Sequence, residues 1–276
     1  MSGRSIDHIV LAVRSLDQTA AAYQRLGFTL TPRASHEARM GTSNRLAQFA
    51  ERSFMELLEV DRPAGIMPHR PEETPPVYSF GARNRAALAA REGISFLVFA
   101  SEDARADLAG FKAAGQAAYA PFDFTRQAKA PDGTAAEVSF SLGFAVSPDM
   151  PGAPVFVCQN RAASFFWKAE FQEHDNGAKG MRAVWLATPA PERDAAFFAS
   201  LFGGEARAAD GGLDVSCGEV QTLRLRPPEA VAAVDRAFAP GALASPRFVG
   251  IELAGPGAVT IPSDEGAGMF VKWVAP

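Results

Sequence analysis

The side chains of this 276-residue chain best suited to chemistry are an imidazole and a carboxylate 48 positions apart, His8 and Glu56. Each interrupts an apolar run of strand length, Ile6-Asp7-His8-Ile9-Val10-Leu11-Ala12-Val13 and Phe54-Met55-Glu56-Leu57-Leu58. Alternate residues of a strand share a face. His8 therefore lies beside Ile6, Val10 and Ala12, and Glu56 beside Phe54 and Leu58. A carboxylate on such a face costs several kcal/mol unless it is paired or metal-bound. An imidazole with a carboxylate is part of a ligand set for Zn, Fe(II), Mn or Ni. It is also a plain hydrogen-bonded polar pair, and the two residues alone do not choose between these readings.

Other candidates stand further along the chain. His36 and Asn44 flank Gly41-Thr42, which reads as a loop folding over a substrate or as a simple hairpin. Gln159 and Asn160 close a later strand, and both are candidates for substrate contact. Phe165-Phe166-Trp167 either caps an apolar ligand, with Trp167 touching it, or packs as core. His174 opens His174-Asp175-Asn176-Gly177-Ala178, a stretch that lines the same hollow or is a turn, since Asp-Asn-Gly is turn chemistry. Cys158 reads as a buried, inert thiol because no basic neighbour is evident, with ligand or nucleophile as the alternative. His69, next to Arg70 in a proline-rich linker, reads as a surface residue. Glu59 reads as solvent-facing or paired with Arg62. Gly41-Thr42-Ser43 lacks the lysine of a phosphate-binding P-loop.

The elements that must position these residues repeat. A strand-like run followed by a helical stretch ending in glycine occurs three times, and Gly27, Gly115 and Gly203 are spaced 88 positions apart. Such repetition signals a fold assembled from duplicated units. The first unit reads strand (6–13), helix opened by Ser15 and Gln18 as a capping box, then strands at 28–32, 46–49 and 54–60. The second reads strand (95–100), a helix capped by Asp103, then strands at 118–124, 136–144 and 154–159, with a Pro131-Asp132-Gly133 turn between the first two of these three. In the third, a strand at 183–187 precedes a helix opened by Pro191 and strands at 214–217 and 220–225. The fourth is degenerate. It has a helix at 228–238 and strands at 248–253, 259–261 and 269–274, and Gly255-Pro256-Gly257 stands where the other units have a helix. The linker at 61–92 carries a short helix at 84–91. These readings divide the chain into a module pair at 1–160 (modules 4–60 and 93–160), a connector at 161–180 and a second, degenerate pair at 181–276.

Paired βαβββ units that begin Asp7-His8-Ile9-Val10-Leu11-Ala12-Val13 and close a helix with Leu26-Gly27-Phe28 resemble the vicinal oxygen chelate superfamily. Its members include glyoxalase I, extradiol dioxygenases and bleomycin-binding proteins. Gly41-Thr42-Ser43-Asn44-Arg45-Leu46, Phe54-Met55-Glu56-Leu57-Leu58 and the His174 stretch narrow the likeness to the glyoxalase-like domain group, although Asp175 stands where that group usually has proline. The resemblance implies an α+β fold in which tandem βαβββ modules curl into half-open barrels, here as two module pairs. It implies a divalent metal (Zn, Fe, Mn or Ni) in the cup of a pair, and His8 and Glu56 match the first-module ligand positions. By the 88-residue offset, Phe96 and Val184 take the place of His8 in the second and third units. A third ligand would then come from a connector, as His174 or His36. On this reading Glu56 is ligand or base, and His174 is ligand or proton shuttle.

Composition bounds the function classes. The chain is 47% apolar and 21% charged, with a net charge of −4, which argues against nucleic acid or an anionic membrane as partner. No apolar run of about 18 residues is present to span a membrane. Nothing apolar stands ahead of the first strand at Met1-Ser2-Gly3-Arg4-Ser5 to act as a signal. Two cysteines, Cys158 and Cys217, make no disulfide framework and suit a reducing cytoplasm. The expectation is a monomer or homodimer that binds a small oxygen-rich molecule in the cup, as a metal-assisted lyase, isomerase or dioxygenase. The alternative is a non-catalytic sequestering protein of the bleomycin-resistance type, and the third and fourth units read as scaffold.

Overall fold

A computed structural model of the protein describes residues 3–117, 119–129 and 135–276. Met1-Ser2, the Ala118 start of one expected strand and the Pro131-Asp132-Gly133 turn lie outside the described residues.

The first module is β1 (Ile6–Val13), α1 (Leu16–Arg25), β2 (Ala34–Ser35), β3 (Ser43–Gln48) and β4 (Phe54–Glu59). After α2 (Phe80–Ala90) in the linker, the second is β5 (Gly93–Ser101), α3 (Ala104–Ala113), β6 (Phe122–Lys129), β7 (Ala135–Ala145) and β8 (Val155–Asn160). These strands form one curled eight-stranded sheet, ordered β2-β3-β4-β1-β5-β8-β7-β6. First strands β1 and β5 meet antiparallel at its centre, and each is flanked in parallel by its module's last strand, β4 or β8. A short α4 (Ala163–Phe166) follows. The third module is β9 (Gly180–Ala187), α5 (Pro191–Phe202), β10 (Ala206–Ala209), β11 (Gly212–Cys217) and β12 (Gln221–Arg226). Beyond α6 (Pro228–Ala232), the fourth is reduced to β13 (Arg247–Ala254), β14 (Thr260–Ile261) and β15 (Phe270–Val274). The second sheet is seven-stranded, β10-β11-β12-β9-β13-β15-β14. The architecture is the α+β arrangement of paired modules implied by the resemblance.

Local chemistry sets the helix ends. The Ser15 hydroxyl accepts from the Gln18 amide at 3.4 Å, and an Asp103 carboxylate oxygen accepts from the Arg105 and Ala106 amides. Both occupy N-cap positions, where otherwise unpartnered helix donors need an acceptor. Gly27 follows α1 with φ +84°, a left-handed conformation that side chains resist. Gly115 and Gly203 also have positive φ, but Gly203 is itself the cap of its helix, with ψ −163°, whereas Gly27 and Gly115 follow the caps Leu26 and Ala114, so the third helix end is shifted by one residue.

Three expected elements differ in the structure, and one strand is additional. Residues 28–32 form no strand, because Pro32 has no amide hydrogen to give a ladder. Only Thr31 reaches across, donating to Leu46 at 2.9 Å. The linker helix begins at Phe80 instead of 84, capped by the Ser79 hydroxyl, which accepts from the Ala82 amide at 3.1 Å. The helix expected to reach Phe238 ends at Ala232. There the Asp235 carboxylate accepts from the Ala237 and Ser263 amides and competes with helical bonding. Strand β10 was not expected, since Ala206–Ala209 carries no apolar alternation.

The two sheets place their convex faces in one shared core. Ile9, Leu11 and Leu97 of the first meet Val184, Leu186 and Ile251 of the second, with α1, α3 and α5 contributing Tyr23, Phe111 and Phe202. Phe99 stacks on Phe202 at 4.1 Å, and the Tyr23 hydroxyl donates to Gly266 at 3.0 Å. Burial removes Val184 from the role that the 88-residue offset gave it. It faces the shared core, while Ala183 and Trp185 face the other way. Counting from a helix-ending glycine misses the strand register by one residue, and one residue reverses the face. The concave face of the first sheet carries a separate phenylalanine-rich cluster around Val10, Phe96, Phe140 and Phe156. Among the described residues, no helix is long and apolar enough to cross a membrane.

Candidate functional site

Strand alternation sends His8 and Glu56 onto the concave face of the first sheet, each only 5% exposed. The register sets Glu56 beside Val10, and His8 lies against Phe54, ring on ring at 4.2 Å and 16°. Asp7 fixes the imidazole: its carboxylate takes Nδ1–H at 2.6 Å. The other ring nitrogen, Nε2, is turned toward Glu56 Oε2, 3.8 Å away. That separation is too long for a direct hydrogen bond.

The other carboxylate oxygen is engaged. Asn44, on β3, donates from Nδ2 to Glu56 Oε1 at 2.6 Å and lies 3.2 Å from His36 Nε2. The second imidazole nitrogen of His36 is 2.8 Å from the Thr42 hydroxyl, and its Nε2 is 3.5 Å from Glu56 Oε1. Burial holds the His36 pKa below its ordinary 6.5, against the opposing pull of the Glu56 charge. His36 is accordingly a neutral ring that accepts from Asn44 and donates to Thr42.

Around this polar knot the walls are aromatic. A chamber of about 60 Å³ is bounded by His8, His36, Glu56 and Cys158 together with Phe54, Phe80, Phe124, Phe140, Phe156 and Phe166. It joins a bay of about 550 Å³ through His36, Asn44, Leu46, Arg126 and Phe166, which border both, and Arg33 and Lys168 stand further out on the bay's rim. At the junction Arg126 rests its guanidinium 5.4 Å from the Phe140 ring and 5.6 Å from Phe166. No carboxylate among the described residues pairs with it within 4.0 Å. Burial lowers the Arg126 pKa, and the Glu56 charge acts in the opposite sense. The Cys158 thiol is pushed well above its ordinary 9.0, first by burial and then by the Asp7 and Glu56 charges; it is a protonated wall and not a nucleophile. In the second module the same face offers Phe96, Val98, Phe156 and Cys158, with no imidazole or carboxylate.

The structure brings together four of the expected residues, His8, Glu56, His36 and Asn44, and leaves four elsewhere. His174 is outside the cup. Its Nδ1 accepts from the Thr29 amide at 3.0 Å and its Nε2 bonds Gln48 O at 2.8 Å, between Phe28 and Phe49. With both nitrogens committed to backbone it has no lone pair for a metal and no proton to shuttle. The turn it opens is a clasp: Asn176 N donates to Gly27 O and its side-chain amide to Leu26 O, across the end of α1. A Cβ on Gly27 would come within 2.9 Å of Asn176 N. Gln159 points toward the start of α3, bonded to Glu102 O and the Ala104 amide. Asn160 accepts from the Ala162 amide at 2.9 Å and shapes its own turn. Trp167 packs behind the chamber wall, against Phe54 and Phe166. His69 is exposed in the linker, as expected, where its ring accepts from the Ser79 amide and lies tilted against Tyr78 at 4.6 Å. Glu59 pairs with Arg33 at 2.9 Å, while Arg62 pairs with Asp61. Arg126 was missed in the sequence, although it continues the Phe122-Phe124 alternation on one face of β6.

The donor types at Glu56 suit a divalent ion: His8 Nε2 lies 3.8 Å from Glu56 Oε2, and His36 Nε2 lies 3.5 Å from Oε1. In number they fall short of a ready-made cage. Among the described residues, no three His, Cys, Asp or Glu side chains are gathered around one point, and the Asn44 amide stands between His36 and Glu56.

Comparison with known proteins agrees with this architecture. A crystal structure of a hypothetical protein from Staphylococcus aureus superposes with a TM-score of 0.72 at 14% identity, covering 99% of each chain. The Mn(II)-bound glyoxalase from Novosphingobium aromaticivorans gives a TM-score of 0.52 at 11% identity, over 99% of this chain and 82% of the other. No curated protein matches the sequence significantly. The model of the glyoxalase-like domain family matches residues 6–202, which span the cup and its supporting helices. The chain belongs to the glyoxalase-like domain family and has the paired-module fold of the vicinal oxygen chelate superfamily.

Proposed function

We propose that the cup of the first sheet is the active site of a lyase or isomerase that moves a proton on a small, anionic, oxygen-rich molecule. The observation that carries this reading is the convergence of His8 Nε2 and Glu56 Oε2, 3.8 Å apart, in an aromatic chamber with Arg126 at its mouth. In such low-dielectric surroundings charge interactions strengthen, and a base held in place needs no reorganisation as charge develops. Arg126 would take the carboxylate of the substrate, leaving its carbonyl end in the chamber. Glu56 would remove a proton from the carbon beside that carbonyl, and His8, oriented by Asp7, would receive the proton or return it at a neighbouring atom. The inner chamber has room only for the reacting end, so the body of the substrate would occupy the bay. A divalent ion entering the gap would be held by His8 and Glu56, with His36 the nearest third donor, and would polarise a bound oxygen as a Lewis acid. The Mn(II) of the Novosphingobium glyoxalase supports testing that ion first.

The test is exchange of solvent deuterium into the C–H beside the carbonyl of small 2-oxo carboxylates, followed by NMR, with the protein dialysed against each of Mn, Zn, Fe(II) and Ni and without metal. Exchange that Glu56→Gln lowers by about 10²-fold or more supports the reading. No exchange across the panel, with ligand still bound, would overturn it in favour of a sequestering protein. One observation favours that second reading: Asn44, His36 and Thr42 already satisfy half of the polar knot without a ligand.

A further inference from the structure

We infer that a second site, remote from the cup, binds a phosphoryl group in a cleft walled by Arg83, Arg91 and Arg247. Arg83 and Arg91 belong to α2 and its C-terminal cap, and Arg247 opens β13 of the second sheet, so the cleft lies where the two sheets' elements meet. Its volume is about 340 Å³, within the range of small-molecule pockets. The remainder of the wall is mostly alanine and glycine, with Ser245 the other side chain that carries a hydroxyl, and none of the lining residues is acidic.

In the second sheet the buried Arg226 pairs with Asp214 at 2.7 Å, and the half-buried Arg224 with Asp214 and Glu252. Among the described residues, Arg83, Arg91 and Arg247 have no carboxylate within 4.0 Å. Each makes one hydrogen bond to a backbone carbonyl, to Gly152, Glu92 and Ala242 respectively, and Arg83 Nε is buried without a partner. A guanidinium has five N–H donors, and among the described residues each of these three finds one protein acceptor. The nearest acids, Glu92, Asp235 and Asp264, line an adjoining hollow that shares Arg91 and Arg247, and none of them lies within 4.0 Å of the three guanidinium groups. Glu92 accepts from the Arg14 amide, and Asp235 accepts from the Ala237 and Ser263 amides. The C-terminal carbonyls of α2 supply only a partial negative charge. Arg91 is held down to about 10, chiefly by burial and then by Arg247 and Arg83, which agrees with three like charges kept close without a counter-ion. Glycine makes this approach possible, since a Cβ on Gly93 would collide with Arg91 Nη1.

Three planar cations around one small space specify the ligand's charge and shape. A monovalent carboxylate would leave two of them uncompensated. A phosphoryl group carries about two charges and three acceptor oxygens that match the guanidinium fork. The site therefore fits a phosphate ester or diphosphate of a small molecule.

Calorimetric titration of the full chain with inorganic pyrophosphate, against sodium chloride at equal ionic strength, tests this. The expected result is one saturable site, weakened about tenfold or more by Arg91→Gln and by Arg247→Gln. Ala87→Glu, which places a carboxylate in the cleft on an α2 that tolerates glutamate, should abolish binding while leaving all three arginines in place. Circular dichroism identifies any variant that does not fold, and the remaining variants then decide. Heats indistinguishable from chloride, or binding that no folded variant alters, would overturn the site.

Discussion

Each sheet buries one glutamate on its concave face, and the two are treated in opposite ways. Glu252 of the second sheet, 2% exposed, is enclosed by cations and donors. Arg224 reaches it at 3.1 and 3.2 Å, Lys272 lies at 3.5 Å, and the Trp185 indole donates at 3.2 Å. Arg224 also holds Asp214 at 2.7 Å. Glu56 of the first sheet is also buried, but its neighbours are two imidazoles and an amide, with no arginine or lysine paired to it among the described residues. The same fold thus holds one carboxylate in a network of cations and another among imidazoles. What separates scaffold from candidate site is the company of the charge, since its depth is the same.

The largest expected effect falls on the closed network. Arg224→Ala removes the cation from a buried Glu252 and should cost about 3–5 kcal/mol, measured by urea unfolding. A loss below about 1 kcal/mol would break the contrast. His174→Ala should cost about 2 kcal/mol, because it deserts a buried amide and a buried carbonyl, and should leave deuterium exchange unchanged. Loss of exchange in a folded His174→Ala protein would return that residue to the cup. Arg126→Gln should weaken binding of a carboxylate ligand about tenfold, with unfolding free energy nearly unmoved. Acid should act through the neutral imidazoles. Burial holds His36, His69 and His174 below 6.5, so below that pH the unfolded chain takes up protons that the folded chain refuses. Stability is complete above 6.5 and falls as the pH drops toward the lower folded values. A pH series of unfolding curves that stays flat between 7 and 5 would contradict this.

Much of this arrangement was legible in the sequence, and the gaps have physical causes. The period of two placed His8 and Glu56 on one face, and glycine spacing marked three helix ends, the third shifted by one residue, because a positive φ there favours glycine. His36 follows the two-residue β2, where no periodicity reports direction, so its approach to Glu56 was open until the fold brought β3 alongside β4. Arg126 was readable in principle, as a cation ending a Phe122-Phe124 stripe. His174 was misplaced because a histidine in a turn motif is ambiguous: the same residues line a cup or clasp a helix end, and only the bonds to the Thr29 amide and the Gln48 carbonyl distinguish them. The helix expected to continue through 233–238 failed at Asp235, whose carboxylate accepts from the nearby Ala237 amide and from Ser263, 28 residues away and beyond any local pattern.

The central claim is that Glu56 is placed for chemistry and not for stability. Functional sites give up stability for poised charge, so the unfolding free energy of Glu56→Gln at pH 7 is the most direct measurement. The account predicts a value equal to or above wild type, within about 1 kcal/mol below it at most. A loss of about 3 kcal/mol or more, the signature of a broken buried pair, would make Glu56 another Glu252 and contradict the account.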